Sequence, residues 1–304
     1  MKIITYHLLT AFMAGCGLAA TLSCSQGNDD DVTPPDGRTP VSIVTRTEEA
    51  AELKAALIEA GLYMVNYTDE GQPADLLPTD NYVNNQRMTW SGDSWQTEQP
   101  IYWIDMDTSA DFYAYAPYQQ VDDARSLPFS VSTDQRTDES LTQSNLMWGR
   151  STAVEPTTDG FSLTVAHMLS RLTVSVEPGA GFEDGELLPD DVSVTIGGTR
   201  THATFDIQTG QLTVDTGRDA EPVTCHHDGN MTYTAILLPQ QVPFSNLIQV
   251  NWKGNVYTLQ NAFTLQSKRQ YNLTVKLKKT KSGFDIGIDG WDILPEDFGG
   301  PIGG

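Results

Sequence analysis

The sequence predicts an all-β protein made of two antiparallel β-sandwich domains, with one short helix near the N-terminus. Many short segments alternate apolar and polar residues with a period of two, as residues 172–176 and 192–196 do. Turn-forming pairs such as Gly197–Gly198 and Thr209–Gly210 separate these segments. Only one segment has helical spacing, so the helices that parallel crossover connections require are missing.

Length and charge limit the possible functions. The chain has 304 residues, which is enough for two domains that each bury a core. Acidic residues outnumber basic ones by 40 to 18, and the formal net charge is −22. Such a chain repels phosphate groups, so neither nucleic acid nor an anionic lipid surface is an expected partner.

The N-terminus has the pattern of an export signal. Lys2 precedes a long apolar run, and residues 1–23 are predicted to be a signal peptide. The run ends at Ser23–Cys24, which resembles a bacterial lipobox and makes Cys24 the predicted lipidation site. Cleavage before Cys16 is the alternative, but it would leave the apolar residues 18–22 exposed. A permanent transmembrane anchor is the other alternative, although acidic rather than basic residues follow the run.

The remaining elements are predicted in chain order. Residues 24–46 form a tether and a first strand, and a helix then begins at the N-cap Thr47 and ends at Gly61. The predicted strands are 62–67, 101–104, 112–116, 161–165, 172–176, 192–196, 203–207, 211–214, 232–238, 247–252, 256–259, 271–277 and 284–288. We place the N-terminal sandwich at 47–165 and the C-terminal sandwich at 166–304.

Residues 225–228, Cys-His-His-Asp, are the cluster that most resembles a set of metal ligands. Adjacent histidines on a strand point to opposite faces, and no second ligand pair at zinc spacing accompanies them. A polar hairpin flank is the favoured interpretation. Cys225 is also left without a disulfide partner once Cys16 and Cys24 are assigned to the N-terminal signal.

Other candidate sites also have simpler structural interpretations. His167 lacks an accompanying nucleophile and is predicted to be an interior histidine. The acidic stretches 122–123 and 134–139 lack calcium-loop spacing and are predicted to be solvated loops. Tyr113, Tyr115 and Tyr118 could form a carbohydrate platform, but alternate strand positions favour a core role. No enzyme activity, metal or cofactor is therefore expected.

Several segments, in order and approximate spacing, resemble the fimbrillin family of Bacteroidetes. They are 41–46, 61–65, 111–118, 146–148, 167–174 and 288–291. The resemblance implies two transthyretin-like sandwich domains and a role as a structural subunit of a type V pilus at the cell surface, supporting adhesion. It also implies that the partners are other fimbrial subunits in a head-to-tail polymer.

The resemblance further implies a maturation pathway. A lipoprotein precursor at the outer membrane would be cut after Arg46 by a trypsin-like protease, making Thr47 the new N-terminus. Loss of an edge strand with Val41, Ile43 and Thr45 in one row would open a groove. The C-terminal segment 284–304 of the next subunit would fill that groove. Its candidate donor-strand residues are Ile286, Ile288, Ile293 and Leu294.

Two alternatives from other classes remain at this point. The first is a monomeric surface lipoprotein that binds a glycan or protein ligand and keeps both its lipid and an uncut Arg46. The second is a secreted hydrolase on a sandwich scaffold, which the missing acid/base pair disfavours.

Overall fold

The structure, a computed structural model, describes residues 37–44, 59–68, 71–90 and 95–279, and the backbone of 286–297. Strands dominate this part of the chain. They are β1 (Ile43–Val44), β2 (Ala60–Asn66), β3 (Val83–Trp90), β4 (Trp95–Thr97), β5 (Ala110–Ala116), β6 (Leu127–Ser130), β7 (Met147–Val154), β8 (Phe161–Ser162), β9 (Ala166–His167), β10 (Ser170–Pro178), β11 (Val192–Ile196), β12 (His202–Asp206), β13 (Gln211–Val214), β14 (Val223–Thr224), β15 (His226–Gly229), β16 (Thr232–Leu237), β17 (Gln240–Trp252), β18 (Asn255–Leu265), β19 (Arg269–Lys279) and β20 (Ile286–Asp297).

The described strands form five sheets, and the predicted all-β class is confirmed. Their strand orders are β4-β3-β2-β5-β7-β9, β13-β12-β6, β15-β16-β10-β19-β20, β14-β11-β17-β18 and the pair β1-β8. Pairing is antiparallel throughout these sheets except in β1–β8 and β10–β19, which are parallel. Parallel neighbours arise here without helices because the chain crosses to another sheet before it returns.

A short helix, α1 (Asp138–Gln143), lies in an acidic stretch for which the sequence predicts only a loop. Thr137 caps it, and Ser140 completes a capping box with Thr137. The predicted helix at 47–61 lies mostly outside the described residues. Its last two positions, Ala60 and Gly61, begin β2 instead.

Gly61 is needed in a strand rather than at a helix end. The ring of Tyr115, its cross-strand partner, lies over it, and a Cβ atom at Gly61 would come within 2.3 Å of that ring. The Tyr115 hydroxyl donates to the Gln119 carbonyl at 2.8 Å, so the ring is fixed in place. The glycine therefore marks a close side-chain approach, and this approach leaves no trace in local sequence.

Strand prediction succeeds where side chains alternate clearly and fails elsewhere. The segments 192–196 and 211–214 match β11 and β13 in both bounds. Residues 101–104 form only a single bridge, at Tyr102. Seven of the described strands are missing from the prediction: β3, β4, β6, β7, β9, β14 and β15. In β7, for example, Gly149 interrupts the pattern because the Thr164 carbonyl lies 1.8 Å from where its Cβ would be.

The central strands of the six-stranded sheet, β2 and β5, are buried on both faces. Every residue of β5 is buried, and so are all but the last of β2. Tyr63, Tyr113 and Tyr115 face the sheet β13-β12-β6 and share a core with Phe205. Alternate residues of the same strands, including Phe112, face the opposite way into a second core. The N-terminal half thus has three layers, and the middle layer needs a cover on each side.

The C-terminal half is a sandwich of two sheets. The sheets β15-β16-β10-β19-β20 and β14-β11-β17-β18 enclose one core made wholly of residues between Leu172 and Leu277. Val174, Val194 and Val250 are fully buried within it. Among the described strands, β20 lies at the edge of its sheet, where it pairs with β19.

The two halves of the sequence share one sheet. Strand β12 pairs with β6, and Ala203 stands opposite Phe129. The hairpin β12–β13 therefore covers the N-terminal sheet although it follows residue 166 in sequence. The division of the chain at 165/166 stays a prediction, and the core that contains Phe205 draws residues from both sides of it.

Gln135 links the two halves through its buried side chain. Its amide nitrogen donates to the Ile236 carbonyl at 2.8 Å, and its amide oxygen accepts from the Ile236 N–H at 2.8 Å. The residue is fully buried. It therefore satisfies both backbone groups of a β16 residue that would otherwise be buried without partners.

We expect Gln135→Leu to lower the free energy of unfolding by about 2–4 kcal/mol, because it preserves size and leaves a buried donor and acceptor unsatisfied. Guanidinium titration followed by tryptophan fluorescence measures this change. The matched control is Gln143→Leu at an exposed position of α1, which should have little effect. Equal stability of the two variants would contradict the linking role.

Candidate assembly groove

The segment 39–44 lies inside the N-terminal half and is hydrogen-bonded along one side to residues 101–103. The Val41 N–H donates to the Ile101 carbonyl at 2.8 Å, and the Trp103 N–H donates to the Thr39 carbonyl at 2.9 Å. Pro40 forms an antiparallel bridge with Tyr102 between these two bonds.

The opposite side of the same segment is also paired. The Phe161 N–H donates to the Ser42 carbonyl at 3.1 Å, and Ile43 and Val44 stand opposite Phe161 and Ser162 in a parallel register. The segment is therefore not the edge strand that the sequence suggests. It is an inserted strand with a neighbour on each side, because the chain folds two distant segments around it.

Side chains of the segment alternate between core and solvent. Ile43 is 7% exposed, Val41 is half-buried and Ser42 is exposed. The predicted apolar row is confirmed at Val41 and Ile43, whereas Thr45 lies outside the described residues. Ile43 belongs to the core on the second face of the six-stranded sheet. The segment thus covers one face of that sheet.

An aromatic cluster surrounds this position. Ring centroids of Trp103 and Phe112 are 5.5 Å apart, and those of Phe112 and Phe161 are 4.3 Å apart. The Trp103 indole donates to the Thr157 carbonyl at 3.2 Å. Residues from both walls and from the floor therefore form one apolar surface, which we call the groove and which the segment 39–44 fills.

Gly160 lets the backbone of the segment approach one wall. Its φ is +77°, and a Cβ atom there would lie 3.1 Å from the Ser42 carbonyl oxygen. A side chain at Gly160 would strain both the backbone and the contact. This glycine was not singled out from the sequence, since its position in a loop gives no sign of the strand beside it.

Arg38 closes the outer end of the groove. Its Nη1 donates to the Tyr82 hydroxyl at 3.2 Å, and its guanidinium lies 5.3 Å from the centroid of the Tyr102 ring. The Tyr82 hydroxyl donates to the Tyr102 carbonyl at 3.0 Å. These contacts hold the start of the segment against the surface.

We expect Ile43→Ala to lower the free energy of unfolding of the uncut chain by about 2–4 kcal/mol, since it removes buried methyl and methylene groups from a packed core. Denaturant unfolding of the chain checks this value. Ser42→Ala, at the exposed neighbouring position, is the control and should change stability little. A small effect at Ile43 would mean that the groove tolerates an empty pocket.

The predicted lipidation site and the predicted cleavage site lie outside the described part of the chain. These residues are Cys24, Arg46 and Thr47. The last described residue of the segment, Val44, lies two positions before Arg46.

The backbone register places the four predicted donor-strand positions in β20. Ile293 stands opposite Leu273, Ile288 opposite Leu277, and Ile286 opposite Lys279. These three β19 partners lie at alternate positions of the strand and therefore on the same face. On that face, every residue from Tyr271 to Leu277 is buried. Leu294 stands opposite Asn272, which lies on the other face of β19. The four positions therefore do not form a single row.

The residues of the Cys-His-His-Asp cluster have different surroundings. Cys225 is buried in the C-terminal core, and His227 stacks on Tyr233 at 4.9 Å between centroids. His226 instead lies between two carboxylates, with Nε2 2.9 Å from Asp138 and Nδ1 2.9 Å from Asp228. In the described part of the chain, no group of three or more such residues is arranged to hold a metal ion.

Burial, with a smaller contribution from Asp228, raises the pKa of the Cys225 thiol. We therefore expect this thiol to remain protonated and unreactive toward a maleimide at mildly alkaline pH in the native protein. Mass spectrometry of the chain from Ser25 onward, in which Cys225 is the sole cysteine, measures labelling before and after denaturation. Rapid labelling of the native chain would contradict the packing around β15.

The remaining candidates are structural. His167 is buried, and its Nδ1 lies 2.9 Å from the Asn145 side-chain oxygen, as predicted for an interior histidine. Tyr113 and Tyr115 are buried rather than displayed to a carbohydrate, and burial raises the pKa of Tyr113 to about 12. Hydrogen bonds from Arg136 lower the pKa of Asp134 to about 2, so that carboxylate is already paired.

The sequence profile of the fimbrillin-like family matches residues 45–291, which is most of the chain. The chain belongs to the fimbrillin-like family. It is therefore a protein of the fimbrial, adhesion type, and this family implies a place in cell-surface fimbriae. A comparison with curated proteins gives no match.

Solved structures share this fimbrillin-like fold at low sequence identity. A candidate cell adhesion protein of Bacteroides uniformis is 19% identical with a TM-score of 0.62, over 88% of this chain and 100% of that one. A second, from Bacteroides ovatus, is 16% identical with a TM-score of 0.63, over 86% and 98%. A fimbrial protein of Bacteroides ovatus is 20% identical with a TM-score of 0.50, over 78% and 48%.

No helix within the described ranges combines the length and apolar character that a membrane crossing requires.

Proposed function

We propose that this fimbrillin-like protein is a structural subunit of a type V pilus that assembles by protease-triggered strand exchange and supports adhesion. The observation that carries the proposal is the placement of segment 39–44. It is paired on both sides, its Ile43 is buried in the core, and it ends two residues before Arg46. A cut there would separate a core-filling strand from the rest of the chain.

Removal of that strand has a defined cost. The Ile101 carbonyl and the N–H groups of Trp103 and Phe161 would lose their partners. These groups would then have only water as a partner, and the ordered pairing along both walls would be lost. The aromatic surface around Phe112 would also be opened to water. An extended strand from another subunit can restore both the hydrogen bonds and the apolar packing.

Strand β20 is suited to supply the replacement. Among the described strands its one neighbour is β19, so its departure would not divide the sheet. A strand that leaves the C-terminal half of one subunit for the N-terminal half of the next makes a head-to-tail contact. Such contacts continue into filaments instead of closing at a dimer.

Lipidation completes the proposed pathway. Cys24 would hold the precursor at the outer membrane, and it precedes Arg46 in sequence. Cleavage after Arg46 would therefore release the subunit from its lipid and open its groove in one step. Assembly would then be confined to subunits that have reached the protease at the cell surface.

We expect Arg46→Ala to leave the chain uncut by a trypsin-like protease at this position and therefore monomeric. The parent, cut under the same conditions, should begin at Thr47 and form filaments. Intact mass identifies the new N-terminus, and electron microscopy detects the filaments.

The control is Arg125→Ala, which removes an exposed arginine outside the segment 39–44 and should leave cleavage at Arg46 and assembly in place. Filaments formed by uncut Arg46→Ala protein would exclude strand exchange. Retention of the lipid and of Arg46 in cell-surface material would favour the alternative of a monomeric surface lipoprotein.

A further inference from the structure

We infer that a cleft on the outer face of the β13-β12-β6 sheet binds a neutral saccharide. The cleft has a volume of about 700 Å³. Small-molecule sites in proteins occupy about 300–1,000 Å³, so the cleft is large enough for a short oligosaccharide. This inference goes beyond the proposed function, because it concerns a second site and requires neither cleavage nor strand exchange.

The floor of the cleft is the polar face of this sheet. Ala203 and Phe205 of β12 face the core, so the alternate residues His202 and Thr204 lie on the outer face. Their cross-strand partners on the same face are Ser130, Pro128 and Thr213. Side chains that stand opposite each other on one face have Cβ atoms about 4.5–5.5 Å apart, so a single ligand can contact several of them.

Neutral hydrogen-bonding groups are the largest class in the lining of the cleft. Residues with a hydroxyl or a side-chain amide there are Gln119, Ser130, Gln143, Thr204, Thr213 and Thr216. A pocket for an apolar molecule would be lined mainly by hydrophobic side chains. Hydroxyls and amides both donate and accept, which matches the many hydroxyls of a saccharide. A peptide strand would instead pair with backbone groups at a sheet edge, whereas these are side chains of the sheet's face.

His202 supplies an acceptor whose orientation is fixed from behind. The hydroxyl of the buried Thr201 donates to the Glu221 carboxylate and lies 2.9 Å from His202 Nδ1. Because the one hydroxyl proton is given to the carboxylate, this oxygen accepts from Nδ1, and the neutral imidazole has its proton there. Nε2 is then an acceptor, and within the described ranges it has no partner. Thr201 and Glu221 lie outside the lining, so Nε2 is left for a ligand hydroxyl.

The charged groups of the cleft pair with each other. Arg218 Nε donates to Asp215 Oδ2 at 3.3 Å, and both side chains are exposed at the rim. The pair has no net charge, and the Asp215 carboxylate and the Nε2 acceptor both disfavour an anion nearby. The net charge of −22 on the whole chain has the same effect. A neutral saccharide is therefore favoured over a sialylated or sulfated one.

The loop that contributes Asp215 and Arg218 is held against the sheet before any ligand binds. The Asp215 N–H donates to the His202 carbonyl at 2.9 Å. The Gly217 N–H donates to Asp215 Oδ1 at 2.9 Å, and Arg200 Nε donates to the Arg218 carbonyl at 3.0 Å. Because the loop is already ordered, binding does not have to supply the entropy cost of ordering it.

The cleft can be filled without a change to the core. Thr204 is exposed and has a neighbouring strand on each side, so Thr204→Arg should fold normally and obstruct the cleft. The matched control is Thr264→Arg, at an exposed position of β18 outside the cleft. A third variant, His202→Phe, keeps an aromatic ring and removes the Nε2 acceptor.

The experiment applies the uncut chain from Ser25 onward to an array of immobilised oligosaccharides. The array pairs neutral members, which include lactose, maltotriose and diacetylchitobiose, with acidic members, which include sialyllactose. We expect binding to neutral members, and calorimetry then measures the affinity for those that bind. Thr204→Arg should weaken this affinity at least about tenfold, and Thr264→Arg should leave it within about twofold. His202→Phe should weaken it about three- to tenfold, because one hydrogen bond is lost.

Thermal unfolding shows whether each variant is folded, and the exposed position of Thr204 keeps the test valid if His202→Phe is not. Absence of neutral binding by the parent, preference for the acidic members, or equal affinity of the parent and Thr204→Arg would overturn the inference. These results do not depend on filaments, because the chain is uncut. Failure of the cut parent to form filaments would contradict the proposed function and leave this inference in place.

Discussion

The fold of the N-terminal half depends on a sheet whose two faces must both be kept from water. Strands β2 and β5 are buried almost throughout, so their odd and even residues each need a covering layer. The β13-β12-β6 sheet covers the tyrosine face. Segments 39–44, 101–103 and 161–163 cover the other. The first of these covers, segment 39–44, precedes the rest of the described chain.

That arrangement gives the groove its properties. In the proposed pathway, a cut after Arg46 would separate this strand from the residues that follow it. Its two neighbours would each be left with unpaired backbone groups, and the aromatic surface beneath would be open. Another strand in the groove would restore the lost pairing and cover the aromatic rings. Under the proposed function, the contacts that hold segment 39–44 in place would therefore make a cut subunit dependent on a strand from a partner.

The remaining structure keeps the two halves together around this site. Hairpin β12–β13 covers the N-terminal sheet, and Gln135 binds the backbone of β16 in the C-terminal half. The tyrosine-face core contains residues of both halves. A subunit linked in this way can transmit tension along a filament through packed side chains rather than through a flexible linker, which suits the proposed role.

Local sequence by itself determined the all-β class, many of the strands and the alternation of Val41 and Ile43, since these depend on side-chain periodicity within a few residues. The family resemblance, carried by ordered motifs, also came from sequence. Only the tertiary structure decided which strands are neighbours. It placed segment 39–44 between two distant segments, put Gly61 under Tyr115 and divided Cys225 from His226. These outcomes depend on contacts between residues far apart in the chain, and local periodicity contains no information about such contacts.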